Sequence, residues 1–186
     1  EGERRLCKML SRWWSTGLGI PENDAIFWRT SNSGGRATTR AKKGLRTFGS
    51  YGDVAAVDPI GQPLLDLLTI EIKTGYSHST LHDLFDAPSN AAVQTYEDWI
   101  WKAEQDTIKS KSMSWMIVHR RNRRIHLVTS PAFLFQTMNF SRYPVIVPLK
   151  ERRMELCVMP LWEWLQTFKP PLLVNAATTW RKSRPR

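Results

Sequence analysis

Two runs of strand-forming residues, separated by a short segment of proline and glycine, constrain the fold of this chain more than any other feature. The first run covers residues 53–58, and the second covers residues 67–73. A turn near position 62 is indicated by Pro59, Gly61 and Pro63, since proline removes a ladder donor and glycine tolerates turn dihedral angles. The pattern predicts a β-hairpin.

The predicted hairpin brings two acidic residues together. Antiparallel pairing about its turn sets Asp53 opposite Glu71. Strand side chains alternate between faces, so the second strand has a charged face and an apolar face. The charged face carries Thr69, Glu71 and Lys73, and the apolar face carries Leu68, Ile70 and Ile72. We expect the apolar set to face the core and the charged set to face a cleft.

Two carboxylates and a lysine at one place suit divalent-metal phosphodiester chemistry, because carboxylate oxygens are hard ligands of the kind that Mg²⁺ takes. Two further acids, Asp58 and Asp66, lie close by in the sequence. By strand parity Asp58 points away from Asp53, and Asp66 lies beside the turn. Both are expected to be structural or solvent-exposed, unless a β-bulge shifts the register.

Asp53, Glu71 and Lys73 resemble the signature of the PD-(D/E)XK nuclease superfamily, in which an Asp and a Glu-x-Lys stand on adjacent strands. The proline of the family name is replaced by Gly52. Over roughly the first two thirds of the chain, the order of elements is similar to that of phage and resolvase-type members. The resemblance implies an α/β (α+β) fold: a restriction-endonuclease-like core with a central mixed β-sheet flanked by helices.

The resemblance also implies catalytic roles. Asp53 and Glu71 would hold Mg²⁺ or Mn²⁺ together with the backbone carbonyl of Ile72. Lys73 would orient or activate the attacking water. Glu3 stands where the family commonly has a further acid on its first helix, which would anchor a water or a second metal ion.

A supporting residue is implied on the helix that follows Glu-x-Lys, since related nucleases offer a Gln or a Lys to the site from this helix. The candidates are Lys102 and Gln105. They lie three residues apart and are therefore neighbours on the helix surface.

The charge of the chain indicates a polyanionic partner. Its formal net charge is +10 and its isoelectric point is near 10.0. Surface Lys and Arg gain affinity by neutralising phosphates and releasing condensed counterions. We expect the partner to be DNA, while RNA stays open. A membrane is the least favoured partner, because the sequence has neither an apolar run of ~20 residues nor a basic amphipathic helix.

Two basic segments are candidates for nucleic-acid contact. No acidic residue lies between positions 29 and 52, and this loop is interpreted either as a phosphate-tracking arm or as a solvated loop. The tip of a second predicted hairpin could equally contact phosphate or be an ordinary charged turn. The candidates are Arg29, Arg36, Arg40, Lys42, Lys43 and Arg46 in the loop, and Arg120, Arg121 and Arg123 at the tip.

Periodicity predicts the remaining elements. Helices are predicted over residues 3–14 and 91–111, with a short helix over 160–165. Strands are predicted over 25–29, 143–149 and 154–159, and the second hairpin over 114–119 and 123–128. Residues 75–90 are predicted to form a lid or substrate loop.

A chain of 186 residues is expected to form a single nuclease domain. Its core would cover about residues 1–130 and a C-terminal decoration about 131–170, with a flexible basic tail over 171–186. Cys7 and Cys157 belong to no metal-ligand spacing and indicate a reducing compartment. The expected location is cytoplasmic or nucleoid-associated, in the host cell if the chain is viral.

The predicted function is metal-dependent hydrolysis of phosphodiester bonds in DNA. A structure-specific or nonspecific endonuclease in replication, recombination or repair fits best. One alternative is a non-catalytic basic nucleic-acid-binding protein, and another is a structural protein on an inherited nuclease fold. A homodimer is possible, with the Trp-rich C-terminal part as its interface.

Overall fold

A mixed five-stranded β-sheet lies at the centre of the fold. The computed structural model describes residues 2–30, 51–76, 80–84, 95–138, 146–149 and 154–183. The strands are β1 (Phe27–Arg29), β2 (Val54–Ala56), β3 (Leu68–Thr74), β4 (Ser114–Arg120), β5 (Leu127–Pro131), β6 (Ile146–Leu149) and β7 (Met154–Pro160). The sheet has the order β3-β4-β5-β7-β6, in which β3 and β4 are parallel and the other neighbours are antiparallel. β1 and β2 form a separate antiparallel pair.

Helices flank this sheet, as predicted. They are α1 (Gly2–Gly17), α2 (Gln62–Leu67), α3 (Tyr96–Ser110), α4 (Phe133–Thr137), α5 (Leu161–Thr167) and α6 (Pro170–Ser183). Two short 3-10 turns cover Pro59–Gly61 and Leu81–Leu84. None of the helices in the described ranges combines the length and the apolar character that crossing a bilayer requires.

Alternation along the strands gives the sheet two differently covered faces. The apolar set of β3, which is Leu68, Ile70 and Ile72, belongs to the core that packs against α1. The other face is covered by α3, whose Ser110 hydroxyl lies 2.8 Å from that of Thr69. The prediction that β3 separates its apolar and charged side chains in this way is confirmed.

The first predicted helix is confirmed and extends to Gly17. Leu6, Leu10 and Trp14 recur at intervals of four residues and are buried, so one face of α1 packs on the sheet. Trp14 also donates a hydrogen bond from its indole nitrogen to the carbonyl of Ile60 (2.9 Å). This contact ties α1 to the segment between β2 and β3.

The second predicted helix is confirmed over Tyr96–Ser110, and residues 91–94 of the prediction lie outside the described ranges. A capping box starts α3, since Thr95 and Asp98 each accept a hydrogen bond from the other's backbone N–H. Tyr96, Trp99, Ile100 and Ala103 form its buried face. The cap fixes where α3 begins, and the apolar face fixes which side of the helix packs towards the sheet.

The predicted hairpin turn near position 62 is wrong. Pro59–Gly61 form a 3-10 turn and α2 follows at once, so a helix joins β2 to β3. β2 pairs with β1, and hairpin pairing does not set Asp53 opposite Glu71. Leu64 and Leu67 of α2 are fully buried, which favours a helix, and Pro63 lies in the first turn, where its missing N–H breaks no helical hydrogen bond.

The predicted flexible tail over 171–186 is wrong for the part that the structure describes. Residues up to Ser183 belong to α6, whose Leu173 and Ala177 are fully buried. α6 packs against α2, and the Arg181 guanidinium forms an ion pair with Asp66. The helix forms because these contacts bury its apolar side, although its sequence shows no clear helical period.

The remaining predicted elements are present where the structure describes them. Residues 27–29 form β1, and the second predicted hairpin forms as β4 and β5, with Val118 opposite Val128. Its second strand begins at Leu127, not at Arg123 as predicted. The two later strands form β6 and β7, and the helix expected at Pro160 forms α5. In the predicted lid, the described residues include the short turn Leu81–Leu84.

Candidate active site

Asp53 is held against the edge of β3 by two hydrogen bonds. Its backbone N–H donates to the carbonyl of Ile70 (2.7 Å), and its Oδ2 accepts from the N–H of Ile72 (2.7 Å). Ile70 and Ile72 present these groups on the same strand edge, because peptide groups alternate between edges along an extended chain. A tertiary contact therefore positions Asp53, which is 9% exposed.

Glu71 is fully buried, and both of its carboxylate oxygens accept hydrogen bonds from lysines. The Lys73 ammonium donates to Oε2 at 2.7 Å, and the Lys102 ammonium donates to Oε1 at 2.5 Å. Lys73 comes from the same face of β3, and Lys102 comes from α3, which covers that face. Lys73 Nζ also lies 4.0 Å from Asp53 Oδ2. The structure thus brings the three signature residues into one cluster.

The two carboxyl groups of this cluster differ in acidity. Burial, followed by the negative charge of Glu71, raises the pKa of Asp53 to about 6, against the opposing effects of Lys73 and the Ile72 N–H. Burial also opposes ionisation of Glu71, but the ammonium groups of Lys73 and Lys102 outweigh it and hold the pKa of Glu71 below its usual value. Two neighbouring carboxyls with separated pKa values are typical of acid–base and metal sites.

The donors of this cluster fit a hard divalent cation. Asp53 and Glu71 supply carboxylate oxygens, and the Ile72 carbonyl points to the same strand edge as the N–H that Asp53 accepts. Asp53 and Glu71 form a pair and are not part of a larger ligand set among the described residues. In this described part of the chain, no group of three or more His, Cys, Asp and Glu side chains could hold a metal. A pair suits Mg²⁺, which keeps several waters and takes phosphate oxygens of the substrate.

Comparison with known proteins identifies the family to which the chain belongs. A family model described as "Phage putative PDDEXK endonuclease" matches residues 1–175. The chain belongs to this family. It is therefore a PD-(D/E)XK nuclease, its substrate is nucleic acid, and its mixed sheet with flanking helices is the restriction-endonuclease-like core. Nucleases of this type generally use divalent metal ions. The search of curated proteins and the search of solved structures gave no match.

The backbone explains why this PD-(D/E)XK nuclease has Gly52 where the signature has proline. Gly52 has a φ of +69°, whereas the proline ring fixes φ near −65°. A Cβ at this position would lie 2.7 Å from the carbonyl oxygen of Ile70, which is the acceptor of the Asp53 N–H. Glycine is thus required at the residue that leads into the site.

Glu3 lies one helical turn before Cys7 on the buried side of α1. The pKa of the Cys7 thiol is raised to about 12, by burial first and then by the charges of Glu3 and Asp53. Cys7 therefore lies within electrostatic reach of both acids. The described contacts include no hydrogen bond or ion pair between Glu3 and the cluster, so its predicted role is not visible as a direct contact.

The supporting helix contributes Lys102 to the cluster. Gln105, the other candidate, is half-buried, and no hydrogen bond joins it to Asp53, Glu71 or Lys73 among the described contacts. Burial opposes the charge of Lys102, but Glu71 outweighs it and raises the pKa of Lys102 above its ordinary value. The side chain of Lys102 is 45% exposed, so it also reaches solvent.

Asp106 is a site residue that sequence reasoning missed. Its Oδ2 lies 3.3 Å from Lys102 Nζ and accepts a hydrogen bond from the N–H of Gly52 at 3.5 Å. It therefore links α3 to the residue before Asp53 and helps to hold the Lys102 ammonium. Its spacing of four residues from Lys102 is the signal that could have found it, because such residues are neighbours on a helix.

Asp58 and Asp66, the two other acids close to the cluster in sequence, make structural contacts. Asp58 Oδ1 accepts a hydrogen bond from the N–H of Ile60 (3.0 Å) and caps the 3-10 turn. Asp66 accepts from the Gln62 side chain (3.1 Å) and pairs with Arg181. Both roles agree with the expectation that these acids are structural or solvent-exposed.

The predicted nucleic-acid contacts lie only partly within the described ranges. Arg29 in β1 is exposed, as are Arg121 and Arg123 at the β4–β5 tip, while Arg120 is half-buried. The basic loop lies outside the described ranges, and with it Arg36, Arg40, Lys42, Lys43 and Arg46.

Proposed function

We propose that this nuclease is a Mg²⁺- or Mn²⁺-dependent DNA endonuclease of structure-specific or nonspecific type. Replication, recombination or repair inside the cell would be its setting. The observation that carries the proposal is the convergence of Asp53, Glu71 and Lys73 at one edge of β3, with Lys73 Nζ within 4.0 Å of both carboxylates. The net charge of +10 supports a polyanionic substrate.

Asp53 and Glu71 are the proposed metal ligands, with the Ile72 carbonyl as a third. A divalent metal, when bound, polarises the scissile phosphate and lowers the pKa of a coordinated water. Lys73, only 8% exposed, is confined beside both carboxylates and stabilises negative charge that develops on the phosphate. In the same position it orients or activates the attacking water. Glu3 remains a candidate for a second metal or a water.

Lys102 is proposed to neutralise Glu71 until a cation arrives. Each oxygen of Glu71 accepts from an ammonium group, and the positive charge of these groups opposes a metal ion at the same carboxylate. The side chain of Lys102 is 45% exposed and that of Lys73 is 10% exposed, which makes Lys102 the one free to leave. Asp106, 3.3 Å away, accepts the displaced ammonium.

The test is a cleavage panel with Mg²⁺ and Mn²⁺ on linear duplex, single-stranded, flap and four-way-junction DNA, and on RNA. Asp53→Ala and Lys73→Ala should lose cleavage by about a hundredfold or more while retaining DNA binding, because they act on the reacting phosphate. Asp58→Asn is the matched control, since it changes a nearby acid that only caps a turn. Retained metal-dependent cleavage in a clean Asp53→Ala preparation would refute the assignment.

Metal binding separates this proposal from a non-catalytic basic nucleic-acid-binding protein. Titration calorimetry with Mg²⁺ or Mn²⁺ should show binding heat that disappears in Glu71→Ala. A basic module without a metal site would give no such heat in either protein. The same panel distinguishes DNA from RNA as substrate, and sedimentation of the free and DNA-bound protein tests a homodimer.

A further inference from the structure

A cationic cavity lies beside the end of β3, on the face of the sheet that α1 covers. Its volume is about 440 Å³. Gly2, Leu6 and Met9 of α1 form its apolar wall, and Arg5, Arg120 and His126 line it with basic groups. No acidic side chain from the described residues lines this cavity.

The two arginines of the cavity lack acidic partners within the described ranges. Lys8 and Arg12, which follow on the same helix, are paired with Asp24 (3.1 Å) and Glu22 (3.2 Å). By contrast, no described carboxylate lies within ion-pair distance of Arg5 or Arg120. Positive charge at the cavity is therefore uncompensated by described acids, whereas that further along α1 is neutralised.

The arginine from β4 is held in place by the protein itself. Arg120 is half-buried, and its Nε donates to the carbonyl of Arg124 at 3.1 Å. That bond uses one donor and leaves the terminal nitrogens of the guanidinium available for a ligand. The pKa of His126 is lowered by burial and then by the charges of Arg120 and Arg5, which shows that the basic groups act on one another.

The cavity adjoins the active-site cluster through the end of β3. Arg120 pairs in register with Thr74, the residue after Lys73. A Cβ on Gly2 would lie 2.7 Å from the Thr74 hydroxyl, so α1 begins at the same point. By strand parity Arg120 turns to the face opposite Lys73. The cavity and the cluster therefore lie at the same end of β3, on opposite faces of the sheet.

We propose that this cavity is a phosphate-binding subsite for the nucleic-acid strand that the Asp53–Glu71–Lys73 cluster cleaves. The inference rests on the proposed nuclease function and deepens it. Guanidinium groups bind phosphate oxygens through paired, charge-assisted hydrogen bonds, and two of them converge here. The phosphate belongs either to the continuous backbone or to a strand end. Holding it fixes how the strand lies across the end of β3.

Binding without cleavage tests the subsite. Fluorescence anisotropy of a labelled DNA duplex in EDTA should show weaker binding by Arg5→Gln and by Arg120→Gln, each by about five- to tenfold. Arg4→Gln is the matched control, because Arg4 is exposed on the same helix and does not line the cavity. It should change affinity by less than about twofold. Thermal melts confirm that each variant is folded.

A double-mutant cycle then asks whether the two arginines hold the same phosphate. If they do, Arg5→Gln and Arg120→Gln together cost less than the product of their single effects. In the double variant with Arg4→Gln and Arg120→Gln, the loss of DNA affinity should equal the product of the two single losses. Independent effects of Arg5 and Arg120, or losses no larger than that of Arg4→Gln, would overturn the proposal.

The source of the phosphate is distinguished by the DNA used. A 5′- or 3′-phosphorylated linear duplex should bind more tightly than its hydroxyl-ended form if the subsite takes a strand end. A closed circle should remain sensitive to Arg5→Gln if the subsite takes a backbone phosphate. Binding in EDTA does not depend on catalysis. Coupled losses of binding in a protein that cleaves nothing would refute the nuclease proposal alone, whereas cleavage with unaltered Arg5→Gln binding would refute the subsite alone.

Discussion

At the scale of the residue, Gly52 connects backbone geometry to the site. Its φ is +69°, and the space where a Cβ would stand is occupied by the Ile70 carbonyl. That carbonyl accepts a hydrogen bond from the N–H of Asp53, so the close approach at Gly52 and the position of the Asp53 backbone depend on the same carbonyl group. Any side chain here has to push Asp53 away from β3.

Gly52→Ala should therefore cost more stability than the same change at Gly19. Gly19 has the same φ of +69° but nothing within 4 Å of an added Cβ. We expect Gly19→Ala to lower the free energy of unfolding by about 1–2 kcal/mol through backbone strain alone. Gly52→Ala should lower it by about 2–5 kcal/mol, since overpacking adds to that strain. Urea titration of both variants measures the difference, and equal losses would contradict the close-approach argument.

His119 is a second residue whose surroundings predict a measurable property. It is 4% exposed and packs against Tyr96 and Trp99, with ring centroids 5.7 and 5.3 Å away. Within the described ranges, neither of its ring nitrogens has a hydrogen-bond partner. Burial, and then the charge of Arg121, lowers the pKa of His119, against a smaller opposing effect of Asp83. The folded protein thus disfavours the protonated ring.

His119 should contribute a loss of stability on acidification. Its folded-state pKa lies below the unfolded value of about 6.5, so the unfolded chain takes up the proton first. The contribution of His119 is complete above about pH 6.5 and is lost as the pH falls below it. His119→Phe should show a smaller drop in Tm between about pH 7.5 and about pH 5.5 than the unmodified protein. Exposed His82→Phe is the control, and an unchanged drop in His119→Phe would contradict the argument.

At the scale of the element, α3 forms the second wall of the candidate active site. Its capping box and apolar face set its position over β3, and this position brings Lys102 to Glu71. The sequence could predict the helix and name Lys102 as a candidate. It could not separate Lys102 from Gln105, because both lie on adjoining parts of the helix surface and only packing decides which one faces the strand.

Lys102→Met should strengthen metal binding. The Lys102 ammonium competes with a cation for Glu71, so removing it eliminates both an ion pair to be broken and a like charge. We expect the dissociation constant for Mn²⁺ to fall by about two- to fivefold, since the pair is partly exposed. Gln105→Met should have no effect. Lys109→Met removes the same charge from α3 farther from Glu71 and should have less effect. Unchanged or weaker Mn²⁺ binding by Lys102→Met in calorimetry would contradict the competition.

Two elements show where local sequence signals mislead. Pro59, Gly61 and Pro63 suggest a turn, but each is compatible with a 3-10 turn followed by the first turn of a helix. Leu64 and Leu67 then gain more by burial in α2 than an exposed turn would allow. α6 forms for the same reason, because it covers α2. Neither gain in buried apolar surface can be inferred from the local sequence, since each depends on a partner distant in sequence.

At the scale of the whole molecule, excess positive charge is the dominant property. The net charge is +10, and several surface cations of the described residues are already paired with acids. Substrate affinity should depend on the unpaired cations, because only those gain a new counter-charge from phosphate. The sequence between positions 29 and 52 contains several basic residues and no acidic residue, so this segment is where the dependence is tested.

Neutralising four cations of that loop should flatten the salt dependence of DNA binding. The variant carries Arg36→Gln, Arg40→Gln, Lys42→Gln and Lys43→Gln. The slope of log affinity against log salt decreases by about 0.9 for every phosphate that is no longer neutralised, so a reduction of up to about 3.6 is expected. A control with the same change in net charge, from +10 to +6, replaces ion-paired cations. It carries Lys8→Gln, Arg12→Gln, Lys109→Gln and Arg181→Gln. Equal slopes for the two variants would contradict a phosphate-tracking role for the loop.

The sequence by itself determined the local and periodic features of this protein. The helical spacing of Leu6, Leu10 and Trp14, and the alternation along β3, are written in neighbouring residues, and the Glu-x-Lys spacing places Glu71 and Lys73 on one face. Only the tertiary structure decided the partners. Asp53 reaches β3 through backbone hydrogen bonds, and Lys102 reaches Glu71 across a helix–sheet contact. Such contacts depend on how separate elements pack, because burial and hydrogen bonding between distant segments leave no period in the chain.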